Sequence, residues 1–387
     1  MTIETGALEQ GYVKLETAYN VVPADALAGT DGIRILTLSL SGKKNREPSP
    51  QKRGTPDRQA SLPRRESASW NLSEIMWEPS GTLGTISNVG KLIKGGFGSN
   101  HVLSLTTTVS AAPSPTVTTA TLGSVTGIQV GDLIVFTVAS GARREVTRIA
   151  TLPGGAAVTF DPLSVAPDST GAAVVGITYS LASNITDSFA IYKYHNAGGF
   201  KEAVYGSVVD QIQVMLDGTK EVTLALSGPG ARYGNAAGGA TVQTKPATHV
   251  TVGNPAGGMV GNFYVDGTAF LVTSAKVSIN NQLALRNKDL GTSFAAGIGG
   301  RSNLRDVTVE VTFFMEDTNL IGKAHSVTKG ELRCIIGNTN GSMLLVVVPS
   351  VEFEIPDIPS DIGLKEVTIT GVAYAVNGND QVILGEA

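Results

Sequence analysis

Leu36-Thr37-Leu38-Ser39-Leu40 and Ala275-Lys276-Val277-Ser278-Ile279 lie 239 residues apart and carry the same alternation of apolar and polar side chains. Alternation of this period marks a strand buried on one face. The 239-residue shift continues without a gap from Leu36–Gly98 onto Ala275–Gly337, laying Met76 on Met315. In the first copy Ile86, Val89, Leu92, Ile93 and Phe97 fall at helical spacing before Gly98, which predicts a helix with a glycine stop. The same shift predicts a second helix ending in Leu332 and Gly337, with Cys334 on it beside Ile335 and Ile336. Further on, Ser188 matches Ser342 at an offset of 154, and Glu221-Val222-Thr223-Leu224 matches Glu366-Val367-Thr368-Ile369 at 145. The first drop, from 239 to 154, corresponds to an insertion of 85 residues after Gly98. The chain therefore reads as a duplicated unit: strand, long basic loop, strand, helix, strand pair.

The insertion is legible by itself. Short Val/Thr-rich runs between His101 and Ser183 are cut by Ala112-Pro113-Ser114-Pro115, Gly131-Asp132, Ser140-Gly141 and Pro153-Gly154-Gly155, a spacing that suggests a small sandwich or barrel. The expected class is mainly β: two tandem sandwich or barrel modules with one helix each, plus an inserted small β domain. The expected division is residues 1–98 as the first part of module 1, 99–185 as the insert, 186–250 as the rest of module 1 with a Gly/Ala-rich link from Gly228 to Gly258, and 251–387 as module 2.

Composition sets the limits. With 42 % apolar residues and 46 glycines in 387 positions, the chain can bury a large core, and 16 % charged residues is far too few for whole-chain disorder. A net charge of −4 argues against a globally basic nucleic-acid binder. A lone cysteine excludes an internal disulfide framework and a cysteine-based zinc cluster. No apolar run is long enough to span a bilayer, and Met1-Thr2-Ile3-Glu4 does not open a secretion signal, so synthesis and residence in a reducing cytoplasm are expected.

Charge is distributed unevenly. Residues 42–66 hold eight cations (Lys43, Lys44, Arg46, Lys52, Arg53, Arg58, Arg64 and Arg65), three acids and four prolines. The net charge of this stretch is +5, leaving −9 for the remainder. Four prolines forbid a regular helix here, and with little to bury the stretch reads as a long exposed loop. The second copy places Arg286, Lys288, Arg301 and Arg305 in the matching loop. The preferred reading of both loops is docking onto the acidic surface of a like subunit. In Val351-Glu352-Phe353-Glu354-Ile355 the glutamates share one face, and the matching Asp210-Gln211-Ile212-Gln213-Val214 places Gln211 and Gln213 likewise. A sheet apolar on one side and acidic or amide on the other suits the wall of a water-filled barrel, and equally an ordinary half-exposed sheet.

No catalytic constellation emerges. His101, His195, His249 and His325 lack partners at metal-ligand spacing, and neither a nucleophile elbow nor a phosphate loop occurs. Gly228-Pro229-Gly230 only mimics a nucleotide fingerprint. Cys334 reads as a small buried hydrophobe, and Trp70 and Trp77 as core or subunit-contact residues. No enzyme and no cofactor are expected.

The order of elements resembles the tail tube proteins of long-tailed bacteriophages. The resemblance is carried by Leu62-Pro63-Arg64-Arg65-Glu66-Ser67-Ala68-Ser69-Trp70, by Asn88-Val89-Gly90-Lys91-Leu92-Ile93-Lys94-Gly95-Gly96-Phe97-Gly98, by Leu344-Leu345-Val346-Val347-Val348-Pro349-Ser350-Val351 and by the strand from Glu366 to Val376. Val130-Gly131-Asp132-Leu133-Ile134-Val135, Arg144-Glu145-Val146-Thr147 and Asp161-Pro162-Leu163 are similar to decorations of such proteins. The resemblance implies a sandwich flanked by a helix, six modules per ring around an inner β-barrel, and stacking through a long inter-strand loop into a tube that conducts the genome. Some members fuse two modules, so the duplication points to rings of three subunits with pseudo-sixfold symmetry, hexameric rings being the alternative. The implied partners are further copies of the chain, other tail proteins and passing double-stranded DNA, with no membrane. The implied location is the virion tail after assembly in the bacterial host cytoplasm. The insert should sit outside the bore, touching cell-surface polymers or simply decorating. Two rival readings remain at this stage: a nucleic-acid-binding protein using the basic loop, and a surface adhesin or carbohydrate-binding protein.

Overall fold

The structure, a computed structural model, describes residues 9–47, 62–195, 200–235, 242–247, 249, 257, 261–315, 319–326, 328–358 and 365–387. In chain order, β1 (Gln10–Leu15), β2 (Gly32–Ile33), β3 (Thr37–Glu47) and β4 (Leu62–Met76) precede helix α1 (Gly90–Phe97). Next come β5 (Gly98–Thr108), β6 (Thr119–Thr121), β7 (Leu133–Val138), β8 (Arg143–Gly154), β9 (Ala157–Phe160) and β10 (Ala172–Leu181). They lead to β11 (Phe189–His195), β12 (Phe200–Ser207), β13 (Gln211–Asp217), β14 (Thr223–Gly230) and β15 (Arg232–Asn235). The last third holds β16 (Gly261–Val265), β17 (Thr268–Phe270), β18 (Ser274–Asn280), β19 (Leu283–Leu285), β20 (Ile298–Arg301) and β21 (Asp306–Phe314), then α2 (Asn319–Ser326) and β22 (Gly330–Ile336), β23 (Leu344–Phe353), β24 (Glu366–Ala373) and β25 (Ile383–Glu386).

The duplication is visible in strand pairing. One antiparallel layer runs β3-β4-β14-β13-β18-β21-β24-β23. Its first four strands form one block and its last four repeat the same order. Across the first block the register runs Leu38, Leu72, Leu226, Ile212. Across the second it runs Val277, Val309, Gly371, Phe353. Seven of the eight side chains join one core, the eighth position being Gly371, and in that core Trp70, Leu92, Ile93, Val277 and Ile369 are almost wholly buried. Burying such side chains stabilises the fold by about 1.5–3 kcal/mol each.

Each block carries one helix after its second strand. Helix α1 packs Gly95 and Gly96 closely against its neighbours: a Cβ on Gly96 would stand 2.3 Å from Ile212 Cδ1. It ends as expected at Gly98, whose φ of 87° is left-handed and whose N–H bonds Lys94 O. The second helix is displaced from its expected place. It is Asn319–Ser326, burying Ile321 and Ala324, while the segment ending in Ile336 is the strand β22. Cys334 therefore lies on a strand. The ungapped shift misplaced it because the connection from second strand to helix is shorter in the second block, residues 315–318 against 77–89, and β22, buried on both faces, shows no alternation that would have revealed the strand. The Gly/Ala-rich link also begins later than expected. Residues 228–230 end β14 and β15 follows, with Gly228 needed because a Cβ there would meet Val208 O at 1.9 Å.

Strands β5 to β10 build a small barrel. Pairing runs β5-β10-β7-β8-β9-β6, and the Val109–Leu122 bridge returns it to β5. Its interior is a separate apolar cluster around Ile134, Phe136, Ile149 and Phe160. A five-stranded sheet, β15-β12-β11-β1-β2, packs a further cluster rich in tyrosine.

Candidate functional site

The feature with functional content is the outer face of the eight-stranded layer. Along each strand the residues between the core positions emerge, and most of them carry hydroxyls, amides or carboxylates, with Met215, Ala225, Lys276 and Val372 interleaved. On β13, Gln211 and Gln213 flank the buried Ile212; at the end of β23, Glu352 and, just beyond the strand, Glu354 flank the buried Phe353. The four residues thus share one face of one sheet, at equivalent places in the two blocks. Cross-strand bonds hold the polar side chains: Ser41 Oγ and Ser69 Oγ are 2.8 Å apart, Thr312 and Thr368 hydroxyls 2.9 Å, and Thr370 donates to Glu354 at 2.7 Å. Lys276 stands directly across from Glu310, so this cation has a carboxylate in register. The result is a wide wall on which anions find few uncompensated positive charges.

The basic residues divide into three groups. Lys43, Lys44 and Arg46 lie exposed on β3, with Lys44 pairing Glu66 at 3.3 Å. Arg64 and Arg65 lie on β4 and make contacts within the chain. Lys52, Arg53 and Arg58 fall outside the described residues. In the second loop, Arg286 bonds Asp289 at 2.7 Å and Lys288 is exposed. Arg301 and Arg305 are turned inward instead. Arg301 Nη1 donates to Ser183 O at 2.6 Å, and Arg305 donates to Ala182 O at 2.6 Å and Asn281 Oδ1 at 3.0 Å. Burial, with the neighbouring Arg301 charge, lowers Arg305 to about 10. The second loop reaches the strand that follows the first, where Glu66 N–H donates to Ser293 O at 2.8 Å.

The ends of the layer escaped the sequence reading. Inside the chain, β13 pairs β18 along its whole length. Their counterparts, the end of β23 and the strand β3, border the layer at either side, each paired along one edge only within the eight-stranded layer among the described residues. Ile355 is 62 % exposed and Leu36 51 %, against 1 % for Val214 and 4 % for Ala275 at the matching positions.

The two tryptophans are buried: Trp70 Nε1 donates to Val208 O at 3.1 Å, and Trp77 Nε1 reaches Glu386 Oε1 at 3.5 Å. Burial pushes the Cys334 thiol up to about 12, which leaves it inert as a nucleophile. Among the described residues no three His, Cys, Asp or Glu side chains gather as a metal site, and no helix is long and apolar enough to cross a membrane.

No curated protein matches the chain. Residues 106–384 match the family described as phage tail tube protein. With more than two thirds of its length inside that match, and with a mainly β fold of the kind the family resemblance implied, the chain belongs to the phage tail tube protein family.

Proposed function

We propose that the chain is a non-enzymatic building block of the tail tube: three copies close a ring, rings stack, and the polar wall lines the conduit for the genome. The division into 1–98 with 186–250, 251–387 and the 99–185 insert describes the two tube modules and their addition. The partners are further copies, other tail proteins and transient double-stranded DNA, with assembly in the host cytoplasm.

One observation carries this reading. The junction of β13 with β18 is a finished joint between two equal blocks, and its two halves recur at the borders of the layer, each with one edge open among the described residues. Repeating that joint between chains sets the register. Gln213 faces Ser278, Ile212 faces Ile279 and Val214 faces Val277 within the chain. The equivalent pairs between chains are Glu354 with Ser39, Phe353 with Leu40, and Ile355 with Leu38. Adding strands at an open edge supplies main-chain hydrogen bonds, and a head-to-tail joint closes when its rotations sum to a full turn. Three layers of eight strands, at about 4.8 Å per strand, give a cylinder roughly 37 Å across before strand tilt widens it. Carboxylates and amides on its inner wall release few counterions from DNA, so the duplex passes without sticking.

The test is a cross-link. Ser39→Cys with Glu354→Cys should oxidise to covalent closed trimers, while Ser41→Cys with Glu354→Cys, two residues out of register, should not. Monomers under all conditions, or equal cross-linking by both pairs, would contradict the proposal. The rival reading as a DNA binder predicts retention of duplex DNA by assembled tubes in a gel shift at moderate salt, where the conduit reading expects none.

A further inference from the structure

The inserted barrel leans on the second block over a large buried contact. Leu133 and Val135 of β7, Val146 of β8 and Val174 of β10 form one apolar cluster with Ile335 of β22 and Leu345 of β23, all at most 1 % exposed. Three arginines surround it. Arg148 bonds Asp380 at 2.7 Å and Asp161 at 2.9 Å; Arg144 donates to Asn340 at 2.7 Å. Arg333, 1 % exposed, comes from the second block and donates to two carbonyls of the insert, Val146 O at 3.3 Å and Pro162 O at 2.5 Å. Strand β25 adds a backbone link, pairing β10 on one side and β23 on the other. A free decoration would have no use for a dehydrated arginine aimed at its backbone.

We infer that the insert is a brace that fixes the angle between the two blocks. The β13–β18 joint alone is a single line of strand pairing, and neighbouring strands tolerate a twist anywhere from about −10° to −35°. The insert rises from β5 and β10, which pack on α1 of the first block, and rests on β22 and β23 of the second. Two joints at different depths remove the hinge. The curvature of one chain is then set before a second chain arrives, which lowers the ordering cost of closure. The second block joins β22 to β23 through residues 337–343 with no insertion. On the ring reading proposed above, braced joints therefore alternate with unbraced ones.

The brace is tested on single chains, so its failure is separable from failure of the ring. Spin labels at Ser73→Cys and Thr368→Cys, exposed on the wall of the two blocks, report the inter-block distance in an Ile355→Asp background that blocks strand addition. A narrow distance distribution is expected, broadening when Leu345→Asp is added. Leu345 belongs to the contact with the insert, whereas Leu344 and Val346 belong to the main core. If Leu345→Asp loses its native circular dichroism, the milder Arg144→Ala/Arg148→Ala pair decides by the same reading. A distribution equally narrow in the folded variants, or already broad before any contact is removed, overturns the brace.

Discussion

Val214 and Ile355 occupy the same place in two copies of one sheet, and only Val214 is covered. It is 1 % exposed beneath the joint with β18, while Ile355 is 62 % exposed at the border of the layer. The blocks agree in strand order, register and helix placement, so the contrast isolates the effect of a neighbour. Covering one isoleucine contributes about 1.5–3 kcal/mol. The exposed border is equivalent to one half of the β13–β18 joint, and the equivalent of the other half lies at the opposite side of the layer.

Breaking that symmetry should have the largest effect. Ile355→Asp puts a charge where the joint needs an apolar residue; the folded monomer should remain and assembly should vanish, read by size-exclusion chromatography and negative-stain microscopy. Removing residues 48–61 tests the other axis. Rings should still close, but they should stack into short tubes or none, and normal-length tubes would end the role of the basic loop in stacking.

The comparison sharpens inside the core. In strand register, where the 239-residue shift falls to 237 on β4, the first block places Trp70 where the second has Val307, each a core residue two before the matched Leu72 and Val309. Trp70→Val copies the second block and should cost about 3 kcal/mol of unfolding free energy, because the first block has shaped its core around the indole and Val208 O loses its donor. Equal stability by denaturant titration would show that the blocks are interchangeable there.

The effect confined to a pH window concerns the bracing contact. Burial, against the opposing pull of Arg333, raises Glu331 to about 7. An acid with a raised folded-state value binds its proton more tightly when folded. Stability therefore falls as pH rises from the ordinary carboxylate range near 4.5 to about 7. Glu331→Gln should flatten that fall by up to about 3 kcal/mol, seen as a smaller loss of Tm between pH 5 and 8 than in the parent. An identical pH profile would place the proton elsewhere.

How much of this was legible follows from burial geometry. The strands around Leu38, Ile212, Val277 and Phe353 are buried on one face, so alternation revealed both the strands and the wall. Leu133-Ile134-Val135 and Leu344-Leu345-Val346 are buried on both faces. Ile134 enters the barrel core and Val346 the main core, while Leu133, Val135 and Leu345 meet each other. Such runs announce burial without saying against what, so the bracing contact and the strand identity of β22 stayed hidden. The inward turn of Arg301 and Arg305 was equally invisible, because their acceptors are the carbonyl oxygen of Ala182, which both share, together with Ser183 O and Asn281 Oδ1.

Counting chains in a ring tests the central claim most directly. Electron cryomicroscopy of the purified assembled protein should show three chains per ring, six matching blocks around the bore and the insert on alternate joints at the outer surface. Six chains per ring, an open filament, or a bore lined by the apolar faces would contradict it.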